Sequence, residues 1–149
     1  LHTLIYQTRP DVGAIVHSHS IYACALACCR IPLPPAHYAV CELLCDPSRH
    51  KDNGEGGTAV QCSTYHTYGT FELATACLAA LGQNNACFLA NHGAVVVGKD
   101  LAEAMYRTER LERECEIYFR AKQLARPIPL TTTEIESLAL RDQSYGQDA

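Results

Sequence analysis

No apolar run in this 149-residue chain approaches the ~20 consecutive residues a bilayer-spanning helix requires. The opening residues show no secretory-leader pattern. No excess of positive charge is present either. Twelve Lys and Arg stand against sixteen Asp and Glu, a net charge of −4. That balance gives no electrostatic reason to expect a nucleic acid or an anionic membrane as partner. A Gly-rich phosphate loop, a Ser-His-Asp order and a close pair of carboxylates are also missing, so a nucleotide-dependent reaction finds no support.

What is present begins with a composition suited to packing. Hydrophobic residues make up 48% and charged residues 19%, which argues against disorder. The length suits one domain, 1–149, with a real core. Cysteine is plentiful: nine residues, an odd number, most of them inside apolar segments. Cys24/Cys28 and Cys41/Cys45 are four residues apart, yet no Cys-x-x-Cys accompanies them. Buried reduced thiols in a cytoplasmic setting are expected, rather than a disulfide framework.

The chain is organised around Ala14–Ser20, Ala-Ile-Val-His-Ser-His-Ser. Its β-branched apolar start reads as a strand. Strand alternation then places His17 and His19 on one face, close enough to share a metal ion. A third histidine, His92, ends another strand-like run, Ala86–Ala90. Three neutral imidazoles would leave one coordination position open, as a catalytic metal site requires. An isolated His-x-His is equally compatible with ordinary structural histidines. Sequence spacing does not bring His92 to His17.

Helix and strand signals alternate along the rest. Leu1–Thr8 reads as the end of an amphipathic helix, closed before Pro10. It looks like the middle of an element, so an N-terminal portion is expected to be missing. Ser20 is a candidate N-cap for a helix over Ile21–Cys29. A proline-rich break leads to Ala36–Val40, expected as a short strand, and Thr58–Cys62 is expected as another. Residues 46–57, with Asp46-Pro47 and three glycines, read as a surface insertion loop. Thr70 can cap a helix over Phe71–Leu81 ended by Gly82. Ala86–Ala90 and Ala94–Val97 are close enough to pair antiparallel. Asp100 and Glu103 form a capping box for the longest helix, Leu101 to about Leu124. Its apolar stripe is Leu101, Ala104, Met105, Leu111, Cys115, Tyr118 and Phe119; Arg107, Glu109, Arg110, Glu112, Arg113 and Glu114 are assigned to its solvated face. Thr131 and Glu134 start a last helix toward Arg141. The pattern predicts an α/β fold, with helices on both sides of a mixed or mainly antiparallel sheet.

A metal ion on three imidazoles can polarise a carbonyl, steady an enediolate or lower the pKa of bound water. Carbonyl chemistry also needs a proton donor. Tyr38, Tyr65, Tyr68 and Tyr145 lie in loops or beside Pro and Gly and are candidates, each with a structural role as the simpler alternative.

The run Tyr6-Gln7-Thr8-Arg9-Pro10-Asp11-Val12-Gly13-Ala14-Ile15-Val16-His17-Ser18-His19 resembles the signature of the class II aldolase/adducin family. Ile31-Pro32 through His37-Tyr38, Gly57 through Cys62 with Tyr65 and Tyr68-Gly69-Thr70, and Asn91-His92-Gly93 agree in the same order. The resemblance implies a three-layer α/β/α sandwich with a mainly antiparallel central sheet, assembled as a homotetramer with sites at subunit interfaces. It implies His17, His19 and His92 as ligands of one Zn2+ per subunit. Tyr38 matches a proton donor contributed by a neighbouring subunit, and Tyr145 a tail tyrosine closing over the site. The implied reaction cleaves a small phosphorylated sugar, a ketose 1-phosphate of the L-fuculose type, to dihydroxyacetone phosphate and an aldehyde such as lactaldehyde. A sugar-phosphate 4-epimerase or dehydratase on the same scaffold, and a non-catalytic adducin-like binding domain, are the alternatives. The family's catalytic glutamate and phosphate-binding loops precede the position of Leu1, so this stretch alone is expected to hold part of the metal site without turning over substrate.

Overall fold

The computed structural model describes residues 1–44 and 59–144; residues 46–57, expected as an insertion, and Tyr145 lie outside the described residues. Helix α1 (His2–Thr8) leads into strand β1 (Ala14–Ser18) and helix α2 (Ile21–Cys29). A short 3-10 helix, Tyr38–Leu43, follows, then α3 (Phe71–Leu81), β2 (Ala86–Leu89), β3 (Gly93–Gly98), α4 (Leu101–Leu124) and α5 (Thr132–Ser144).

The three strands form one antiparallel sheet in the order β1-β3-β2. β1 pairs with β3 from Ala14 opposite Gly98 to Ser18 opposite Ala94. β2 pairs with β3 from Ala86 opposite Val96 to Leu89 opposite Gly93. Every residue of β2 and β3 is buried, which explains why their sequences are unbroken apolar runs rather than alternating ones: helices cover both faces. On one face Ala86, Phe88, Ala94 and Val96 pack against Ala23, Leu26 and Ala27 of α2 and Leu111 and Cys115 of α4. On the other, Cys87, Leu89, Val95 and Val97 pack against Ile5 of α1 and Leu73, Cys77 and Leu81 of α3. The period of two sorts the side chains between the layers. Phe88 is fully buried, and its removal to Ala is expected to cost about 3–5 kcal/mol. The architecture is the α/β/α sandwich with an antiparallel sheet that the resemblance implied.

Local signals set the element ends. Thr70 Oγ1 accepts the Leu73 N–H at 3.2 Å, and α3 stops at Gly82, whose φ of +51° suits a residue without Cβ. Asp100 accepts the Glu103 N–H at 2.8 Å while Glu103 accepts the Lys99 N–H, a reciprocal cap on α4. Thr131 and Glu134 cap α5 in the same manner.

Three expectations are corrected. Ala36–Val40 is not a strand: the chain turns into a 3-10 helix at Tyr38, because Pro32, Pro34 and Pro35 supply no ladder donors upstream. Thr58–Cys62 is likewise reduced, among its described residues, to isolated bridges of Val60 to Leu33 and Cys62 to Phe88. On α4 the stripe is misplaced. Leu101, Met105 and Phe119 are exposed, whereas Glu114, assigned to solvent, is 1% exposed.

The thiols follow their packing. Cys77, Cys87 and Cys115 are buried, Cys28 and Cys29 exposed, and the eight described cysteines are free. Burial pushes the Cys115 thiol far above its ordinary value, which keeps it inert.

Candidate metal centre

His17 is the fourth residue of β1, opposite Val95 of β3, and His19 lies just past the strand. His92 arrives through the turn that joins β2 to β3. The backbone there is tightly specified. The His92 N–H closes the turn on the Leu89 carbonyl at 3.0 Å, and Asn91 holds φ at +55°, a conformation Asn tolerates better than most residues. Asn91 is also fastened to the end of α2: its N–H donates to Ala27 O at 3.0 Å, and its Oδ1 accepts from Arg30 Nε at 3.1 Å. The Cys24 thiol donates to the His92 carbonyl at 3.5 Å. β3 then runs so close to β1 that a Cβ on Gly93 would collide with the Ser18 carbonyl oxygen.

The outcome is a triangle of imidazoles. Ring centroids are 4.8 Å apart for His17 and His19, 4.9 Å for His17 and His92, and 5.0 Å for His19 and His92. One nitrogen from each ring can be chosen so that all three lie within 4.8 Å of one another. The Nε2 atoms of His17 and His19 are 3.1 Å apart, near the ~3.3 Å expected of two ligands on one tetrahedral ion with bonds of ~2.0–2.1 Å. His17 Nδ1 lies 2.9 Å from the Ala94 carbonyl oxygen. A carbonyl only accepts, so Nδ1 carries the proton and Nε2 presents its lone pair to the centre of the triangle. Burial first, then the charges of His17 and His19, hold the His92 imidazole below its ordinary value. That favours the neutral form a metal ligand must have. The triad can hold a divalent metal ion, and it is the group of this kind among the described residues.

The remaining described candidates are exposed tyrosines. Tyr38 heads the 3-10 helix, 58% exposed, with its ring 4.6 Å from that of His37. The far end of that helix is tied to Asn85: Leu43 O accepts the Asn85 N–H, and Glu42 O and Leu44 O accept from its side chain. Asn85 immediately precedes β2, at the opposite end of the strand from His92. Tyr65 and Tyr68 are exposed.

Two α4 carboxylates escape sequence reading altogether. Glu112 accepts the N–H groups of Tyr22 and Ala23, both at 2.9 Å, and so caps α2. Ser20 occupies the N-cap position without a side-chain bond. Glu114 accepts from His37 Nδ1 at 2.8 Å. Neither has a local signal, since on a long charged helix every glutamate looks solvated until the partner elements are in place.

Residues 1–119 match the family model described as the class II aldolase and adducin N-terminal domain. The 5-methylthioribulose-1-phosphate/5-deoxyribulose-1-phosphate aldolase of Rhodospirillum rubrum is 35% identical over 99% of this chain and 62% of its own length. The 5-deoxy-D-ribulose 1-phosphate aldolase of Bacillus thuringiensis is 31% identical over 99% of this chain and 63% of its own. A solved L-fuculose 1-phosphate aldolase superposes with a TM-score of 0.83 at 36% identity, covering 95% of this chain and 61% of that one. The chain thus spans about three fifths of the relatives it matches. On the match over residues 1–119, the chain belongs to the class II aldolase and adducin family.

Proposed function

We propose that this chain carries the zinc centre of an aldolase, one Zn2+ per subunit on His17, His19 and His92. Its substrate would be a ketose 1-phosphate, cleaved to dihydroxyacetone phosphate and a small aldehyde such as lactaldehyde. The observation that carries the reading is the convergence of three imidazoles from β1 and the β2–β3 turn, with the His17 tautomer set by Ala94 O. The similar proteins support the substrate class: those cited are named for 5-deoxyribulose, 5-methylthioribulose or L-fuculose 1-phosphate.

Such a retro-aldol step breaks the C3–C4 bond, moves the C4 hydroxyl proton to a base and leaves an electron pair at C3. The ion would supply Lewis acidity, polarising the ketose oxygens and spreading the negative charge that develops there. The rigid turn at Asn91 and the close β1–β3 approach at Gly93 hold the three rings without reorganisation, which is where a preorganised site saves barrier height. Tyr38, exposed on its own chain, is read as the proton-transfer group offered to the site of a neighbouring copy in a homotetramer. Tyr145 is read as a closing residue at the tail. A cytoplasmic setting fits free thiols.

Metal content of the purified protein beside a His92→Ala variant tests the centre. Near-stoichiometric zinc, lost in the variant, supports it; equal metal in both overturns it. Release of dihydroxyacetone phosphate by the complete native protein, from L-fuculose 1-phosphate against 5-deoxyribulose 1-phosphate, then tests the reaction, and epimerised or dehydrated product in its place would overturn the aldolase reading.

A further inference from the structure

Glu114 is the anomaly of the core. Its side chain is fully buried, in the middle of α4 beside Leu111 and Cys115. Oε2 accepts from His37 Nδ1 at 2.8 Å. Oε1 makes no hydrogen bond, and Arg110 Nη1 is 3.9 Å away. Arg110 is drawn outward instead, to the Tyr106 hydroxyl at 2.7 Å and Glu42 at 3.4 Å. Removing a carboxylate from water and leaving one oxygen without a hydrogen bond, with only the long ion pair to Arg110, is costly. A leucine of similar volume would serve the packing at least as well, since a buried ion pair seldom outperforms hydrophobic residues of its own size. What the carboxylate does that leucine would not do is hold one ring nitrogen of His37.

His37 is only partly exposed, and the residue after it is Tyr38. The two rings pack at 4.6 Å between centroids and 54° between planes. The connected path therefore runs from a buried carboxylate on α4, through a hydrogen-bonded imidazole, to a phenol standing in solvent. A buried acid that fixes an imidazole by Nδ1–H is the orienting arrangement seen wherever one side chain must be held for another. An exposed tyrosine at the head of a short 3-10 helix would otherwise sample several rotamers, each diluting the geometry useful for proton transfer.

We propose that Glu114 and His37 are positioning residues for Tyr38: Glu114 locks the His37 ring by its Nδ1–H, and that ring holds the Tyr38 phenol in one orientation toward a site on a second copy of the chain. The inference rests on the reading of Tyr38 as the proton-transfer group. A purely structural alternative, in which the Glu114–His37 bond only pins the 3-10 helix to α4, makes different predictions.

The test uses the complete native chain, metal-loaded, with Glu114→Leu, Glu114→Gln, Tyr38→Phe and the Tyr38→Phe/Glu114→Leu double variant. Spectra of 15N-histidine-labelled protein should show His37 as the Nδ1–H tautomer in the native protein and in Glu114→Gln, whose amide oxygen still accepts. In Glu114→Leu that tautomer should be lost and the Tyr38 ring resonances should shift. If those resonances stay where they are, the proposal is overturned, whatever the turnover. In steady-state assays of ketose 1-phosphate cleavage, Glu114→Leu should lower kcat about tenfold with KM within twofold and metal content unchanged, and Glu114→Gln should recover most of it. In the Tyr38→Phe background Glu114→Leu should cost nothing further. An undiminished loss in that background would show that Glu114 acts independently of Tyr38 and overturn the proposal. A Tyr38→Phe variant with native kcat would overturn it too, by removing the role of Tyr38 while leaving the metal-dependent reaction standing.

Discussion

The Nδ1 atom of His17 and the carbonyl oxygen of Ala94 lie 2.9 Å apart across the β1–β3 ladder, so the backbone of one strand decides which nitrogen the imidazole of the other presents. This is the outer-shell partner that histidine ligands commonly require, and loss of such partners alone costs 10–100-fold in affinity. Replacing the proposed ligand itself, His17→Ala, is expected to weaken the proposed zinc binding by more than ~100-fold. Competition against a chromophoric chelator measures this; an affinity within a few-fold of native would remove His17 from the centre.

Acidification should loosen the same site. Burial, and then His17 and His19, hold His92 below its ordinary value. Between about 6.5 and that lowered value, the unfolded chain carries a proton at His92 that the folded chain does not. Stability therefore rises with pH through this window and falls as the solution is made more acid than about 6.5. Metal-free protein should unfold at lower denaturant at pH 5.5 than at pH 7.5, and His92→Ala should flatten that part of the dependence. Identical slopes for the two proteins would contradict it.

Gly93→Ala probes the closeness of the strands. The added Cβ would strike the Ser18 carbonyl oxygen and come within 2.7 Å of His19 Cδ2. Restricting the unfolded chain contributes about 0.4–1 kcal/mol in favour of alanine, whereas forcing the ladder apart costs about 1–3 kcal/mol. The steric cost wins, so net destabilisation is expected together with weaker metal binding. Urea unfolding and a metal titration on one preparation check both. A stabilised variant with native affinity would mean that β1 and β3 can separate at no cost.

Glu112 and Ser20 make a matched pair of tests for the start of α2. Glu112 receives two backbone N–H groups at 2.9 Å, and Ser20 gives its helix no side-chain bond. Charge-assisted bonds of this kind contribute about 1.5–3 kcal/mol, and a negative group at a helix start adds to them. Glu112→Ala is expected to lower stability by about 2–3 kcal/mol, with Glu112→Gln in between. Ser20→Ala should change stability by less than about 0.5 kcal/mol. Equal effects in denaturant unfolding would return the cap to Ser20.

Much of the fold was legible because short-range rules decide it. Pro10 ends α1, Thr70 and Asp100 start their helices, Gly82 stops α3, and the apolar runs around Asn91-His92-Gly93 pair as a hairpin, all from residues a few positions apart. His17 and His19 were also within reach, since residues two apart along an extended chain share a face by geometry alone. Where proline broke that logic, between Ile31 and Val40, the strand expected at Ala36–Val40 became a 3-10 helix.

The meeting of His92 with His17 is of another kind. Their 75-residue separation is closed by the β1–β3 ladder and by Asn91 gripping the end of α2, and neither contact has a counterpart in local periodicity. The inward turn of Glu114 and the capping of α2 by Glu112 depend on the rotation of α4 about its own axis. That rotation is settled by what α2, the sheet and the 3-10 helix leave to be filled. Sequence by itself determined most of the elements, the caps of α3, α4 and α5 and the pairing of His17 with His19 on one face, because backbone sterics and side-chain alternation act over a few residues. The tertiary structure alone decided the arrival of His92 at the triad, the tautomer of His17 and the buried acid behind His37, because each is a contact between chain segments that only packing brings together.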